Sequence, residues 1–106
     1  MRIFLQVKIY SLAEEARYIR RKEAEQKKRG NTELLNRLHQ HRIHHIRPET
    51  RAAHLAYGFL RGRSYDQIEG KAKRKPNWKT VERLIKKYGE GTGKEQQAFE
   101  AWKPKE

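Results

Sequence analysis

The spacing of the apolar residues is the feature that most constrains this chain. Over most of its length they recur every three or four positions, the period of a helix with one buried face. Gly30, Pro48, Gly62, Pro76 and Gly89 cut that pattern into short pieces. Isolated helices of such length are marginal in water, so their apolar stripes must be buried against one another. The expected fold class is therefore mainly α: a small helical domain of packed short helices, with one exception at its N-terminus.

The exception is residues 2–10. Ile3, Leu5, Val7 and Ile9 alternate with Arg2, Phe4, Gln6, Lys8 and Tyr10, the period of a strand buried on one side. It is the only good strand pattern in the sequence, and a lone strand leaves its backbone groups unpaired. The expectation that follows is a homodimer or a protein partner joined through strand 2–10. Ser11-Leu12-Ala13-Glu14 then matches a capping box and predicts a helix over 11–29, with Leu12, Ala16, Ile19 and Glu23 on one stripe. Gly30 stops it, and Asn31 or Thr32 caps a helix over 32–47 that bends near Arg47-Pro48. A central apolar helix is expected over 49–61, carrying Ala52, Ala53, Leu55, Ala56, Phe59 and Leu60. Ser64-Tyr65-Asp66-Gln67 is a second capping box for a short helix over 64–70. Asn77 caps a last strong helix over 77–88, with Trp78, Val81, Leu84, Ile85 and Tyr88 inward. Residues 1–89 thus read as a single basic domain, and 90–106 as a flexible tail with room for a short helix.

Charge decides the class of partner. Of 106 residues, 26 are Lys or Arg and 13 are Asp or Glu, a net +13. Solubility alone needs only about 2–8 charges on a small domain. A surplus this large favours a polyanion, because neutralising phosphates releases counterions. The two halves, 1–50 and 51–106, share the excess almost equally, so it belongs to the fold and not to a tail. With 35% of residues hydrophobic, the core is modest. The sequence has no Cys, which removes disulfide frameworks, zinc ribbons and thiol nucleophiles. The longest apolar run is broken by Gln6 and Lys8, so no membrane partner is expected. The opening residues lack the apolar core of a signal peptide, and a cytoplasmic location is expected.

Residues 50–89 carry the main motif. Gly62-Arg63-Ser64-Tyr65-Asp66-Gln67-Ile68 and Thr80-Val81-Glu82-Arg83-Leu84-Ile85 resemble the helix-turn-helix of sigma-factor region 4 and related three-helix DNA readers. The connection from Gly70 to Pro76 is longer than the tight turn usual in such units. The resemblance implies that the last helix enters the major groove. Asn77, Lys79, Thr80 and Arg83 would then face base edges, with Lys86 and Lys87 further along. Lys71, Lys73, Arg74 and Lys75 would sit on phosphates, joined by Arg63. Secondary phosphate contacts are expected from Arg17, Arg20 and Arg21, and from Lys27, Lys28 and Arg29. Strand, helix, Gly turn and Thr32-Glu33-Leu34-Leu35-Asn36-Arg37-Leu38 also resemble ribbon-helix-helix repressors. That likeness covers residues 2–46 and is weaker, because the first helix is long for the family.

His39, His41, His44, His45 and His54 invite a metal reading. His41 and His45 lie one turn apart, yet a closed zinc site wants four ligands and carboxylates nearby are few. His44-His45-Ile46-Arg47-Pro48 resembles the opening of HNH nucleases, but no His follows His54 and the segment reads helical. Ser11 and Ser64 are both taken by helix caps. No metal, cofactor or catalytic residue is expected. The sequence thus reads as a non-enzymatic nucleic-acid-binding protein, DNA favoured over RNA, most simply a small helix-turn-helix regulator of prokaryotic or phage type. The alternatives are an RNA-binding structural protein such as a ribosome component, and a basic protein that inhibits or scaffolds a partner through a free strand edge.

Overall fold

A computed structural model describes residues 2–69, 76–89 and 93–104. These are helical almost throughout. Helix α1 (Arg2–Arg29) and helix α2 (Thr32–His41) form an antiparallel hairpin. A π-helical turn (Arg42–Ile46) leads from α2 straight into α3 (Arg47–Leu60). Three shorter helices follow: α4 (Tyr65–Glu69), α5 (Trp78–Tyr88) and α6 (Gly93–Trp102).

The strand expected over 2–10 is overturned, because these residues are the first turns of α1. The reason lies in a second periodicity hidden beneath the alternation. Leu5, Ile9, Leu12, Ala16, Ile19, Glu23 and Gln26 are spaced by four and three, so they share one helix face. Leu5, Leu12, Ile19, Glu23 and Gln26 are buried along it. Continuing the helix satisfies the backbone groups within the segment, whereas a strand would have no mate among the described residues. Ser11 accordingly lies inside α1 and caps nothing, and Glu14 pairs with Arg17 instead. The ribbon-helix-helix likeness and the partner at a strand edge lose their basis, since no strand exists among the described residues.

The hairpin turn follows its sequence signals. Gly30 takes a left-handed φ of +74°. Its N–H bonds Lys27 O at 3.2 Å and that of Asn31 bonds Gln26 O at 3.0 Å, a Schellman closure that glycine allows without strain. Asn31 then caps α2 by accepting from Leu34 N. The helix does not end at Arg47-Pro48. Proline inside a helix lacks a donor and clashes with the carbonyl one turn back. Here the turn before it widens, so that Arg47 N–H reaches Arg42 O. The Thr50 hydroxyl then donates to Ile46 O at 2.8 Å. A widened turn of this kind lets the helix pass a proline.

Helix α3 is the centre of the head of the molecule. Ala52, Ala53, Leu55 and Ala56 are fully buried, with α1, α4 and α5 packed around it. Gly62 (φ +78°) ends α3 with a second Schellman pair, and Ser64 and Gln67 form the reciprocal capping box of α4. Part of the segment expected to be a tail is folded. Phe99 is buried, and with Trp102 it closes a ring cluster against Phe59, Tyr65 and Trp78. Trp102 Nε1 also donates to Arg63 O at 2.7 Å. The principal extents are 53 × 29 × 20 Å and the radius of gyration is 16.0 Å. A compact chain of this length has about 13 Å, so the far half of the hairpin projects from the head as an arm.

Gly58 sets the α3–α4 contact. A Cβ there would stand 2.8 Å from Ile68 Cγ1 and closer still to its Cδ1. Gly→Ala inside a helix ordinarily adds about 1 kcal/mol of stability. At this position overpacking reverses the sign, and Gly58→Ala is expected to destabilise by about 1–2 kcal/mol in urea unfolding. Ile68→Val in the same chain should recover much of that loss, and simple additivity of the two changes would show that the helices do not touch here.

Candidate nucleic-acid interface

The arm is built around a buried carboxylate. Glu23 lies on the inward seam of α1, where an apolar residue would be expected. Arg42, from the π turn, donates to it through Nε at 2.7 Å and Nη2 at 3.4 Å. His39 Nδ1 stands 3.0 Å from the same carboxylate. The hydrogen bond from Arg42 holds the Glu23 carboxyl below its ordinary value; burial opposes this, and His39 assists. This polar clamp joins α1 to the α2–π segment where the apolar core has thinned, since no residue of α2 itself is buried.

With that face turned inward, the outer face of α1 is determined. Arg17, Arg20, Arg21, Ala24, Lys27 and Lys28 have helical spacings of three and four and all are exposed. They form one ridge of roughly 16 Å, measured at 1.5 Å per residue. Arg17 is paired with Glu14. Arg20, Arg21, Lys27 and Lys28 make no ion pair among the described residues. Arg29 falls on the neighbouring flank and pairs with Glu25 at 3.1 Å, which also holds Lys22. Five of the six expected secondary contacts therefore share one surface, and Arg29 does not.

Helix α5 is more neutralised. Its inward residues Val81, Leu84 and Ile85 are buried. Outward, Lys79, Glu82, Arg83 and Lys86 line a surface hollow of about 350 Å³. Arg83 Nη2 donates to both oxygens of Glu49 on α3, at 2.8 and 3.0 Å. Glu49 also holds Lys8 of α1 at 3.5 Å. Lys86 pairs with Glu82 at 3.4 Å. The amide of Gln96 donates to Glu82 at 2.8 Å and, with Lys86, keeps that carboxyl below its ordinary value. Asn77 spends its side-chain oxygen on Lys79 N as the cap. Thr80 is half-buried, Lys79 and Lys87 are exposed, and Lys87 lies over the Tyr88 ring. Arg63 is exposed on the α3–α4 turn. Lys71, Lys73, Arg74 and Lys75 lie outside the described residues.

The two basic surfaces are thus unlike each other. The one on α5 interleaves cations with its own Glu82 and with Glu49, a residue of α3 that the helical face of α5 alone does not bring into view. The one on α1 is less compensated, with Arg17 paired to Glu14 and no ion pair at Arg20, Arg21, Lys27 or Lys28 among the described residues. The rings of His41 and His45 lie tilted with centroids 5.3 Å apart, and no cluster suited to a metal ion occurs among the described residues. Among those residues, no helix is long and apolar enough to cross a membrane. No family model, curated protein or solved structure matches this chain.

The clamp has a pH consequence. A carboxyl lowered in the folded state stabilises above its unfolded value of 4.5 and loses that contribution as pH falls through the folded value. Wild type should therefore lose more stability than Glu23→Gln between about pH 6 and pH 3, followed by urea titration at each pH. At neutral pH Glu23→Gln should cost on the order of 2 kcal/mol, since Arg42 keeps its charge and loses its counterion. Parallel acid curves for the two proteins would mean that the clamp does not form.

Proposed function

We propose that this chain is a non-enzymatic nucleic-acid-binding protein that prefers duplex DNA, in the manner of a small helix-turn-helix regulator of prokaryotic or phage type. The observation that carries the reading is the outer ridge of α1. Arg20, Arg21, Lys27 and Lys28 stand exposed on one face without carboxylate partners among the described residues, next to Arg17. Clustered cations left uncompensated repel one another, and a polyphosphate is the ligand that relieves this with a gain from released counterions. Helices α3, α4 and α5 follow in the order that the resemblance to three-helix DNA readers requires, and Lys79 and Lys87 are open to solvent on the last of them. In this reading α1 supplies affinity and α5 supplies what sequence preference there is. Asn77 contributes as a cap, and Arg83 reaches bases only by leaving Glu49. Such a role belongs in the bacterial or host cytoplasm.

One observation favours a second reading. The arm extends the molecule to 53 Å with its charge on the outside. That form suits an RNA-binding structural protein, such as a ribosome component, which reads shape and phosphates. The inhibitor or scaffold that adds a strand to a partner has no such support.

Fluorescence anisotropy with a random DNA duplex and a structured RNA, each titrated with salt, tests both readings. Changing Arg20, Arg21, Lys27 and Lys28 together to Gln should reduce the salt slope on duplex DNA by about 3–4, one counterion equivalent per lost contact. Arg83→Ala should leave that slope nearly unchanged and shift the sequences recovered from a random DNA pool. Recovery of no preferred sequence, with tighter binding to structured RNA, would select the second reading. An absence of binding to either polymer at low salt would remove both.

A further inference from the structure

The helical course of residues 2–10 leaves a surface that neither the core nor the cationic ridge uses. Ile3 is 64% exposed, Phe4 61%, Val7 60% and Tyr10 67%. Ile3, Val7 and Tyr10 are spaced by four and three along α1, so they form one stripe, with Phe4 beside it. Scattered apolar residues on a surface are ordinary, but a contiguous patch of large ones marks a contact site. Two half-exposed aromatic rings and two β-branched side chains present on the order of 500 Å² of apolar surface per chain. The spacing of Ile3, Val7 and Tyr10 is that of the seam through which one helix packs on another.

We infer that the occupant of this stripe is a second copy of the same chain, packed antiparallel through the first three turns of α1, with Val7 near the two-fold axis. Two arguments select this arrangement. The first is area. Two such stripes bury about 1,000 Å² in all, the lower limit for a specific association and enough for a weak dimer. A self-complementary stripe closes on itself under two-fold symmetry. The second is charge. Each copy carries a net +13, with the ridge of Arg17 to Lys28 on the same helix. A parallel pair would bring the two ridges within about 10 Å, the usual separation of packed helices. In the antiparallel pair they point away from each other, with centres roughly 45 Å apart at 1.5 Å per residue. Ile3 of one copy then meets the region of Tyr10 and Ser11 of the other, so small and large side chains alternate across the contact.

The chain has no Cys, so a single introduced thiol reports geometry without interference. Val7→Cys should oxidise readily to a covalent dimer. Ile3→Cys, displaced from the axis, and Tyr18→Cys, exposed on the arm, should cross-link at least tenfold less. Sedimentation equilibrium should show mass rising with concentration toward that of two chains, and Val7→Lys should weaken this at least tenfold without loss of helical signal. Added salt should strengthen self-association by screening the repulsion, whereas it weakens binding to a polyphosphate. The two proposals therefore fail separately. A chain that stays monomeric at every concentration would overturn the inference, as would equal cross-linking from Ile3→Cys, which indicates parallel packing. Val7-dependent capture of a monomer by anionic lipid vesicles would assign the stripe to a membrane surface instead.

Discussion

Everything in the head of this molecule depends on how closely other helices approach α3. Its inward faces are made of alanine and glycine, with Leu55 as the one large residue fully buried among them. Small side chains bring helix axes together and let a short helix such as α4 lie against Gly58 without displacement. A chain with 35% hydrophobic residues cannot build a thick core of large side chains. It obtains close packing from small ones, and packing density rather than core volume provides the dispersion contacts. The aromatic residues then seal the open end, where Phe59 and Trp78 meet Phe99 and Trp102 edge to face or tilted, and Phe99 stacks on Trp102. Helix α6 is held by that cluster and by polar bonds that include those from Gln96 and Trp102.

The arm is organised differently. Away from the head, Ile19 and Ile46 are the buried apolar residues, and Glu23 and Gln26 take the inward positions beyond Ile19. A buried carboxylate is a poor source of stability compared with an apolar residue of the same size, because its desolvation offsets most of its attraction to arginine. It does specify geometry. Only one rotation of α2 about its axis places Arg42 and His39 on Glu23, and the π turn at 42–46 is part of that rotation. The same turn accommodates Pro48, so one local irregularity serves both the passage of the proline and the orientation of the clamp.

Much of the helical architecture is legible in the sequence because its punctuation is local chemistry. Gly30, Asn31, Gly62, Ser64 and Asn77 act within one turn of their own positions, and a reader needs no tertiary information to place them. The inward residues of α3 and α5 follow from periodicity for the same reason. Residues 2–10 fail that test, because Ile3, Leu5, Val7 and Ile9 satisfy period two while Leu5, Ile9 and Leu12 satisfy the helical period. The choice is made by whether a neighbouring strand exists, which is a property of the whole chain. The segment 42–48 fails for a related reason. Proline normally marks an end, and only the widened turn, which no composition signal announces, makes it an interior residue. On the candidate interface, helical spacing does place Arg17, Arg20, Arg21, Lys27 and Lys28 together. It cannot reveal that Glu49 occupies Arg83, since the two are 34 positions apart.

The separation of core and charge along the long axis has a mechanical meaning. The head holds nearly all the apolar burial, while the arm holds a ridge of cations over a polar clamp. Apolar burial is therefore uneven, and the arm has less of it than the head. Charge repulsion along Arg17 to Lys28 acts on that region and not on the head. A polyanion that neutralised the ridge would act on the arm, where the apolar burial is thin. The clamp acts on the opposite face of the same helix, where Arg42 and His39 hold Glu23 inward. Glu23 and Arg42 are consequently placed where an apolar pair would give more stability but less directional control. The inward charge pair and the outward cations of α1 are two halves of one arrangement, in which the first fixes the rotation that the second requires.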